Sequence, residues 1–209
     1  LGFLTAAERS EWKEAVDKII KGDYVISERM TIEAGIAKAH SRSVSQSTSG
    51  LHSGSESGKV FRALNEIVIK GMYRVIDLEV VVNGQKFLDI SGDGVIVSTP
   101  TGSTAYSLSA GGPIVDPELD SLLVTPISAV GLPIPSVVLS ADDVVEINVK
   151  AGDDISLIID GQEHIKISQS QSVKVERGKY RVKFGYFDKH QFLKALNAKF
   201  GLGGRLVGK

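Results

Sequence analysis

Two stretches of this chain alternate apolar and polar residues on both sides of a turn dipeptide, and they constrain its fold more than any other feature. The first covers residues 75–90 around Asn83-Gly84, and the second covers residues 155–167 around Asp160-Gly161. Alternation with a period of two predicts strands, and Asn-Gly or Asp-Gly between two such runs predicts a tight hairpin turn. Both stretches are therefore predicted to form β-hairpins.

Further β-rich runs predict strands at residues 24–36, 95–97, 137–149 and 173–184. Many short strands joined by tight turns are typical of two packed sheets. Residues 7–21 and 189–200 instead have the apolar spacing of a helix, and glycines follow both segments. We therefore expect a mainly β chain, folded as a two-sheet β-sandwich with a helix at each end.

A shift in composition marks one segment as different from the rest. Residues 41–57 are rich in serine and glycine and have almost no apolar side chains, so burial cannot offset the entropy lost on ordering them. We predict a long flexible loop over residues 41–59. The expected organisation is a connecting helix at 1–23, a β-sandwich at 24–186 and a helical tail at 187–209.

Composition excludes several classes of function. A formal net charge of −1 over 209 residues leaves no overall basic surface for nucleic acid or an acidic membrane. The chain has no cysteine, which excludes disulfides and thiolate catalysis, and its four histidines show no metal-ligand spacing. No segment has the pattern of a signal peptide. We therefore expect a cytoplasmic protein with no metal site of its own.

Residues 121–141 carry no charge and are long enough to span a bilayer. Three prolines and a glycine interrupt this segment, and its apolar residues come in short clusters. The pattern favours a strand, a loop and a second strand in the core, and we expect no contact with a membrane.

The string SGDGVIVSTPTGSTAYSLS at residues 91–109 carries the strongest functional signal. A short apolar strand leads into a loop of hydroxyl side chains, and a brief helical stretch follows before Gly111-Gly112. The backbone N–H groups at a helix start, together with side-chain oxygens, can bind phosphates and sugars. The same residue types also describe a Ser/Thr-rich cap and turn without function, and composition leaves both interpretations open.

The complete string resembles the signature motif of the NAD kinase family, both at Asp93-Gly94 and without a gap over residues 99–113. Three further resemblances lie in the family's order, at residues 1–5 (LGFLT), 63–66 (ALNE) and 160–162 (DGQ). The resemblance implies the C-terminal NAD-binding domain of the NAD kinase fold. That domain is a β-sandwich, and its terminal helices would pack toward an α/β domain that these 209 residues do not contain.

The resemblance also implies an activity. An NAD kinase transfers a phosphate from ATP or polyphosphate to the 2′-hydroxyl of the adenosine ribose of NAD, with Mg²⁺ or another divalent cation. A homodimer or homotetramer is implied as well. The family's catalytic aspartate lies in a Gly-Gly-Asp-Gly motif, which is absent from the 209 residues. We therefore assign no catalytic residue and expect the segment to be inactive by itself.

Binding residues follow from the same resemblance. Asn65 and Glu66 are implied to hold the ribose hydroxyls of NAD, because an amide and a carboxylate can together satisfy a diol. Asp93 is implied to contact the nicotinamide end from a neighbouring subunit, Arg74 to meet a phosphate, and Gln162 to make a late polar contact. The adenine and ribose pocket is implied at Thr104, Ala105, Tyr106 and Ser109, and Ser107 and Leu108 are implied to bind NAD as well.

Simpler interpretations exist for these residues. Asn65 and Glu66 also suit a strand edge with a solvated carboxylate. Asp93 suits an ordinary Gly-Asp-Gly turn, and Arg74 suits an exposed strand position. The role of Gln162 depends on the resemblance alone, since a polar residue after an Asp-Gly turn is common.

Two departures from the family pattern put some contacts in doubt. Ser91 stands where the family usually has a basic residue, and residues 128–135 lack its Pro-His-Thr-Leu-Ser and Arg-Pro segment. Two other functions also stay open, a non-catalytic nucleotide-binding module and a purely structural β-sandwich. NAD would not protect the structural sandwich from heat.

Overall fold

The computed structural model describes residues 3–38, 59–131 and 133–201. Its helices are α1 (Trp12–Lys21), α2 (Tyr106–Ser109) and α3 (Gln191–Phe200). Its strands are β1 (Val25–Arg29), β2 (Ile32–Lys38), β3 (Val60–Ala63), β4 (Glu66–Gly71), β5 (Ile76–Val82), β6 (Gln85–Gly92), β7 (Gly94–Ser98), β8 (Ser121–Ile127), β9 (Val137–Ser140), β10 (Val145–Ala151), β11 (Ile155–Ile159), β12 (Glu163–Ile167), β13 (Gln171–Arg177) and β14 (Val182–Tyr186). The predicted loop at 41–59 lies outside the described residues, except for Lys59.

The described strands form two six-stranded sheets and a separate pair, β1 with β14. The first sheet has the order β3-β2-β13-β10-β5-β6, the second has the order β12-β11-β4-β7-β8-β9, and their neighbours are antiparallel. One core lies between the sheets, since Ile67 and Leu157 of the second sheet share a buried cluster with Leu78 and Ile147 of the first. This arrangement confirms the predicted mainly β, two-sheet sandwich.

Both predicted hairpins are present. Asn83 (φ 49°) and Gly84 (φ 78°) both adopt left-handed conformations, as the tight two-residue turn between β5 and β6 requires. The second hairpin joins β11 to β12 through Asp160 (φ 46°), Gly161 (φ 67°) and Gln162. Its loop is one residue longer, because Ile159 pairs with Glu163.

The structure splits three predicted strand runs. Residues 24–36 form β1 and β2, residues 137–149 form β9 and β10, and residues 173–184 form β13 and β14. The two members of each pair belong to different sheets. Each of the two strands buries one face, so the apolar alternation continues where the chain passes from one sheet to the other. The pattern therefore does not reveal the residue at which the chain changes sheets.

The N-terminal helix begins later than predicted. A 3-10 turn occupies Arg9–Glu11, α1 starts at Trp12, and Gly22 ends it with a φ of 70°. No side chain of α1 is buried, and Trp12 and Ile20 are 59% and 78% exposed. The described residues therefore leave the apolar face of α1 uncovered.

The C-terminal helix packs against the start of the chain. Gln191 Nε2 donates a hydrogen bond to the Thr5 carbonyl (2.9 Å), and the rings of Phe3 and Phe192 lie 6.2 Å apart. Gly201 ends α3 in a left-handed conformation (φ 64°), as the glycine pattern predicts. The packing of the two terminal helices toward a further domain stays a prediction.

Residues 121–141 form β8, a connection and β9, in agreement with the predicted strand, loop and strand. Every residue of β8 is buried, and the strand lies between β7 and β9 in the second sheet. Among the residues described, no helix combines the length and apolar character needed to cross a membrane.

Candidate functional site

Glu66 begins β4 on the face of the second sheet that points away from the main core. It pairs with Ser98 of β7, and two residues further along Val68 pairs with Ile96, so these side chains share one face. Val68 and Ile96 form a small cluster of their own, and Tyr106 of α2 packs against it. The segment that contains α2 therefore covers this outer face next to Glu66.

The hydroxyl-rich loop lies directly on the turn that precedes β4. The Thr99 amide donates to the Asn65 carbonyl (2.9 Å), and the Thr99 hydroxyl donates to the Leu64 carbonyl (2.6 Å). Gly102 approaches so closely that a Cβ atom there would lie 2.1 Å from the Asn65 carbonyl oxygen. Only glycine fits this contact, which brings residues 99–102 and residues 64–65 together.

Several hydroxyls of the loop hold its own structure. Ser103 Oγ accepts a hydrogen bond from the Val115 amide (3.1 Å), and Thr104 Oγ1 donates to the Thr101 carbonyl (3.3 Å). The hydroxyls of Ser107 and Thr125 lie 3.0 Å apart and join α2 to β8. These hydrogen bonds hold the turns of the loop in place, while neither helical segment of the loop has a side-chain cap.

The helix that follows the loop, α2, is too short to have a strong dipole at its N-terminus. α2 has four residues, and the chain turns away at Gly111 with a φ of 89°. A single turn adds little dipole, and the backbone amide of Tyr106 already forms a hydrogen bond with Glu66. The dipole of α2 would therefore contribute little to the binding of a phosphate at this loop.

The Glu66 side chain is only 6% exposed, so the alternative of a solvated carboxylate is wrong. Burial, with a smaller contribution from the charge of Asp160, raises the pKa of this carboxyl from 4.5 to about 7, while the hydrogen bond from the Tyr106 amide opposes both effects. Asn65 lies beside it and is half-buried. An amide and a carboxyl that changes its charge near neutral pH thus meet at the end of β4.

Three buried oxygens near this turn have no hydrogen-bond partner among the described residues: Glu66 Oε2, Ser98 Oγ and Thr101 Oγ1. Glu66 and Ser98 are paired across β4 and β7, so these two side chains lie on the same face. A buried polar atom left unpaired costs about 1–3 kcal/mol. A ligand that supplies hydroxyl groups would remove part of this cost.

Asp160 fastens the second hairpin to the same turn. Its Oδ2 accepts a hydrogen bond from the Leu64 amide (2.8 Å), and its Oδ1 accepts from the amides of Asn65 (2.8 Å) and Glu66 (3.0 Å). The family resemblance implies a role for Gln162 of this turn and none for Asp160. The signal that could have identified it is a carboxylate at the left-handed position of an Asp-Gly hairpin.

The other predicted site residues divide between the two ends of the sheet. Gln162 is exposed and lies in the hairpin that Asp160 anchors. Arg74 and Asp93 lie at the far end of β4 and β7, where the Gly71 amide donates to the Asp93 carbonyl (3.0 Å). The length of β4 separates the two ends by about 16 Å. One copy of the chain therefore does not bring Arg74 and Asp93 to the Glu66 end.

Two cavities lie near the terminal segments. One of about 310 Å³ lies between α1 and α3, and none of the predicted binding residues lines it. A second, about 10 Å³ and so the size of one water molecule, is lined by Arg29, Thr101 and Thr104 among others. Within the part of the chain that the structure describes, no group of three or more acidic or histidine side chains is placed to hold a metal ion.

The chain is similar to known proteins of one family. Residues 64–186 match the ATP-NAD kinase C-terminal domain. The NAD kinase of Lachnoclostridium phytofermentans is 34% identical over 208 residues, which cover 96% of this chain and 68% of the relative. The chain thus spans about two thirds of that protein's length.

Solved structures show the same fold. The crystal structure of yeast NADH kinase complexed with NADH is similar with a TM-score of 0.82 and 25% identity, over 100% of this chain and 58% of that one. An NAD kinase from Archaeoglobus fulgidus in complex with ATP has a TM-score of 0.72 and 22% identity, over 96% of this chain and 68% of that one.

Proposed function

The chain belongs to the NAD kinase family, and from this premise we propose that its β-sandwich is the NAD-binding part of an enzyme that phosphorylates NAD. The phosphate passes from ATP or polyphosphate to the 2′-hydroxyl of the adenosine ribose, and NADP is the product. The observation that carries the proposal is the buried Glu66 carboxyl, whose Oε2 lacks a partner among the described residues and lies beside Asn65. A cytoplasmic location goes with this proposal.

The chemistry of the two residues suits a ribose diol. An ionised carboxylate accepts hydrogen bonds from both hydroxyls, and the Asn65 amide can donate to one oxygen and accept from the other. Tyr106, half-buried on the outer face, offers its ring to the adenine, while Gln162 adds a polar contact from the neighbouring hairpin. In this proposal the chain binds and orients the acceptor, which is a large part of catalysis of phosphoryl transfer.

The divalent cation of the proposed reaction does not fit a site made by the described residues alone, since they hold no suitable cluster of ligands. Mg²⁺ commonly keeps several waters and binds through substrate phosphates. A metal ion held by these residues alone is therefore not part of the proposal.

The family resemblance brings Asp93 into the proposal from a second copy of the chain and gives Arg74 a phosphate contact. Both lie about 16 Å from the Glu66 end of the same sheet, as judged from the strand rise. Asp93 would contact the nicotinamide end of NAD bound to a neighbouring subunit, and Arg74 would meet a phosphate. A homodimer or homotetramer is therefore part of the proposal.

Calorimetric titration of NAD tests the proposed pocket. The wild-type chain is expected to bind NAD, and the Asn65→Ala, Tyr106→Ala double variant is expected to bind about 100-fold more weakly. The estimate combines roughly 1 kcal/mol for each lost hydrogen bond with ~1 kcal/mol for the lost aromatic contact.

The matched control is the Asn197→Ala, Tyr24→Ala double variant, which removes an exposed amide and an exposed ring outside the proposed pocket. Its NAD affinity is expected to equal that of the wild type. A wild-type chain that binds no NAD, or a control that loses as much affinity as the test variant, would count against a pocket at Asn65 and Tyr106.

The 209-residue chain by itself is expected to bind NAD without forming NADP, because it contains no Gly-Gly-Asp-Gly motif to supply the family's catalytic aspartate. The measurement is NADP formation with ATP or polyphosphate and Mg²⁺ over many hours. Turnover by this chain would show that one of its own carboxylates acts as the base, and this part of the proposal would be wrong.

A further inference from the structure

Asp160 has no role among the contacts with NAD that the resemblance implies, and the proposed pocket does not use it. We infer that Asp160 is a positioning residue of the NAD site: its carboxylate holds the backbone of Asn65 and Glu66 in place, and its negative charge faces the Glu66 carboxyl. The inference rests on the proposed function, because it assigns Asp160 to the same site. Asp160 itself would not touch NAD.

The hydrogen bonds of Asp160 are directed at the binding turn. Three successive amides, those of Leu64, Asn65 and Glu66, donate to its two oxygens over 2.8, 2.8 and 3.0 Å. In return, the Asp160 amide donates to the Glu66 carbonyl (3.0 Å). Residues that lie more than ninety positions apart along the chain are thus locked together at the point where Asn65 and Glu66 present their side chains.

The backbone of Asp160 is itself constrained. Its φ of 46° lies in the left-handed region, which glycine and asparagine adopt most easily and aspartate tolerates. A hairpin turn alone would be served as well by asparagine or glycine. The carboxylate adds a second acceptor oxygen and a charge. Its two oxygens accept hydrogen bonds from the amides of residues 64–66, and its charge raises the pKa of Glu66.

Among the described residues, Asp160 is the charged group that raises the pKa of Glu66. Glu66 is packed by the turn before β4, by β7, by the hairpin of β11 and β12, and by the start of α2. The turn and β7 contribute no charged group next to it, and α2 contributes Tyr106, whose amide bonds to Glu66. On β12, Glu163 is paired with Lys59 (2.9 Å), and His164 is exposed.

A chemical consequence follows for ligand binding. Two ribose hydroxyls donate to an ionised carboxylate, so NAD binding strengthens as pH rises through the pKa of Glu66, which is about 7. Asp160 opposes the ionisation of Glu66 and thereby shifts this pH dependence toward neutral pH. A residue that only stabilised the hairpin would change NAD affinity without moving the midpoint of its pH profile.

The test variant is Asp160→Asn, which keeps the left-handed conformation and removes the charge. Asp154→Asn is the matched control, because Asp154 also has a left-handed φ (48°) and lies at the other end of β11, where it pairs with Lys166 on the surface (2.8 Å). NMR follows amide exchange at residues 64–66 and the titration of the Glu66 carboxyl, and calorimetry follows NAD affinity from about pH 5 to about pH 9.

In Asp160→Asn, we expect the amides of residues 64–66 to exchange faster. We also expect two midpoints to move to lower pH: that of the Glu66 titration and that of the pH profile of NAD affinity. Above both midpoints, where Glu66 is ionised in either protein, NAD binding is expected to be about tenfold weaker than in the wild type. The control is expected to match the wild type throughout. Weaker binding with unmoved midpoints would mean that Asp160 only caps the turn, and the inference would be wrong.

The titration of Glu66 needs no NAD, so it separates this inference from the proposed function. A Glu66 midpoint that moves in Asp160→Asn, in a wild-type chain that binds no NAD, would show that the two carboxyls are coupled and that the proposed function is what fails. A wild-type Glu66 that titrates near the ordinary value of 4.5 overturns the inference without any variant. If Asp160→Asn does not fold, Asp160→Gly replaces it, since glycine adopts this φ without strain.

Discussion

Replacing Glu66 with glutamine is expected to stabilise the fold while it weakens NAD binding. In the folded chain the Glu66 carboxyl has a pKa of about 7, whereas 4.5 is its ordinary value. Between these two values the unfolded chain has released the proton and the folded chain retains it, so stability falls as pH rises from 4.5 to about 7 and stays low above it. Glutamine carries no charge and removes this loss.

The expected gain in the free energy of unfolding is about 2 kcal/mol at about pH 8, from roughly 1.4 kcal/mol per pKa unit with an allowance for water that reaches the site. Urea unfolding of both proteins measures it, and the gain should shrink as pH falls toward 4.5. Glu163→Gln is the control: this exposed carboxylate on β12 pairs with Lys59 on the surface, and its loss should change stability by less than about 0.5 kcal/mol. A gain for Glu66→Gln that does not vary with pH would contradict the assigned cause.

NAD affinity should move in the opposite direction. A glutamine has one uncharged acceptor oxygen where the carboxylate has two charged ones. Its hydrogen bonds from the ribose hydroxyls are weaker, and binding at about pH 8 should weaken by about tenfold or more. If Glu66→Gln is more stable but binds NAD more weakly, the carboxyl serves binding rather than the stability of the fold. Unchanged affinity at this pH would remove Glu66 from the proposed pocket.

Replacing Gly102 with alanine is expected to cost about 3 kcal/mol of stability and to abolish NAD binding. The new Cβ would lie 2.1 Å from the carbonyl oxygen of Asn65, 2.5 Å from its carbonyl carbon and 2.7 Å from its Cα. These atoms belong to the backbone and cannot rotate aside. Either the hydroxyl-rich loop or the turn before β4 must move, and each carries part of the site.

Gly185→Ala is the control for this second prediction. Gly185 lies in β14, and a Cβ atom added there would have Tyr24 Cδ2 as its nearest neighbour, at an ordinary contact distance of 3.6 Å. Its substitution should change the free energy of unfolding by less than about 1 kcal/mol. Thermal or urea unfolding measures both variants, and calorimetry measures NAD affinity. Equal, small effects at the two positions would show that the loop does not rest on Asn65 in solution.

Local chemistry explains which parts of the fold were predictable. The turn at Asn83-Gly84 depends on backbone conformations that its own two residues favour, so its hairpin is visible in the sequence. The split of residues 24–36 into β1 and β2 is not visible, because both strands alternate and only their partners differ. The brief helix before Gly111-Gly112 was predicted and is present as α2, whereas its attachment to β8 through Ser107 and Thr125 is visible only in the structure.

The candidate site divides in the same way. The resemblance to the family's motifs selected Asn65, Glu66 and residues 104–109 as candidates, and the Asp-Gly pattern predicted the hairpin at Asp160-Gly161. Only the tertiary structure buried Glu66 beneath α2, placed Asp160 against its backbone and left Arg74 and Asp93 at the far end of the sheet. Strands and turns follow from neighbours in sequence, whereas desolvation and charge coupling arise between segments that meet only when the two sheets and their covering loop have packed.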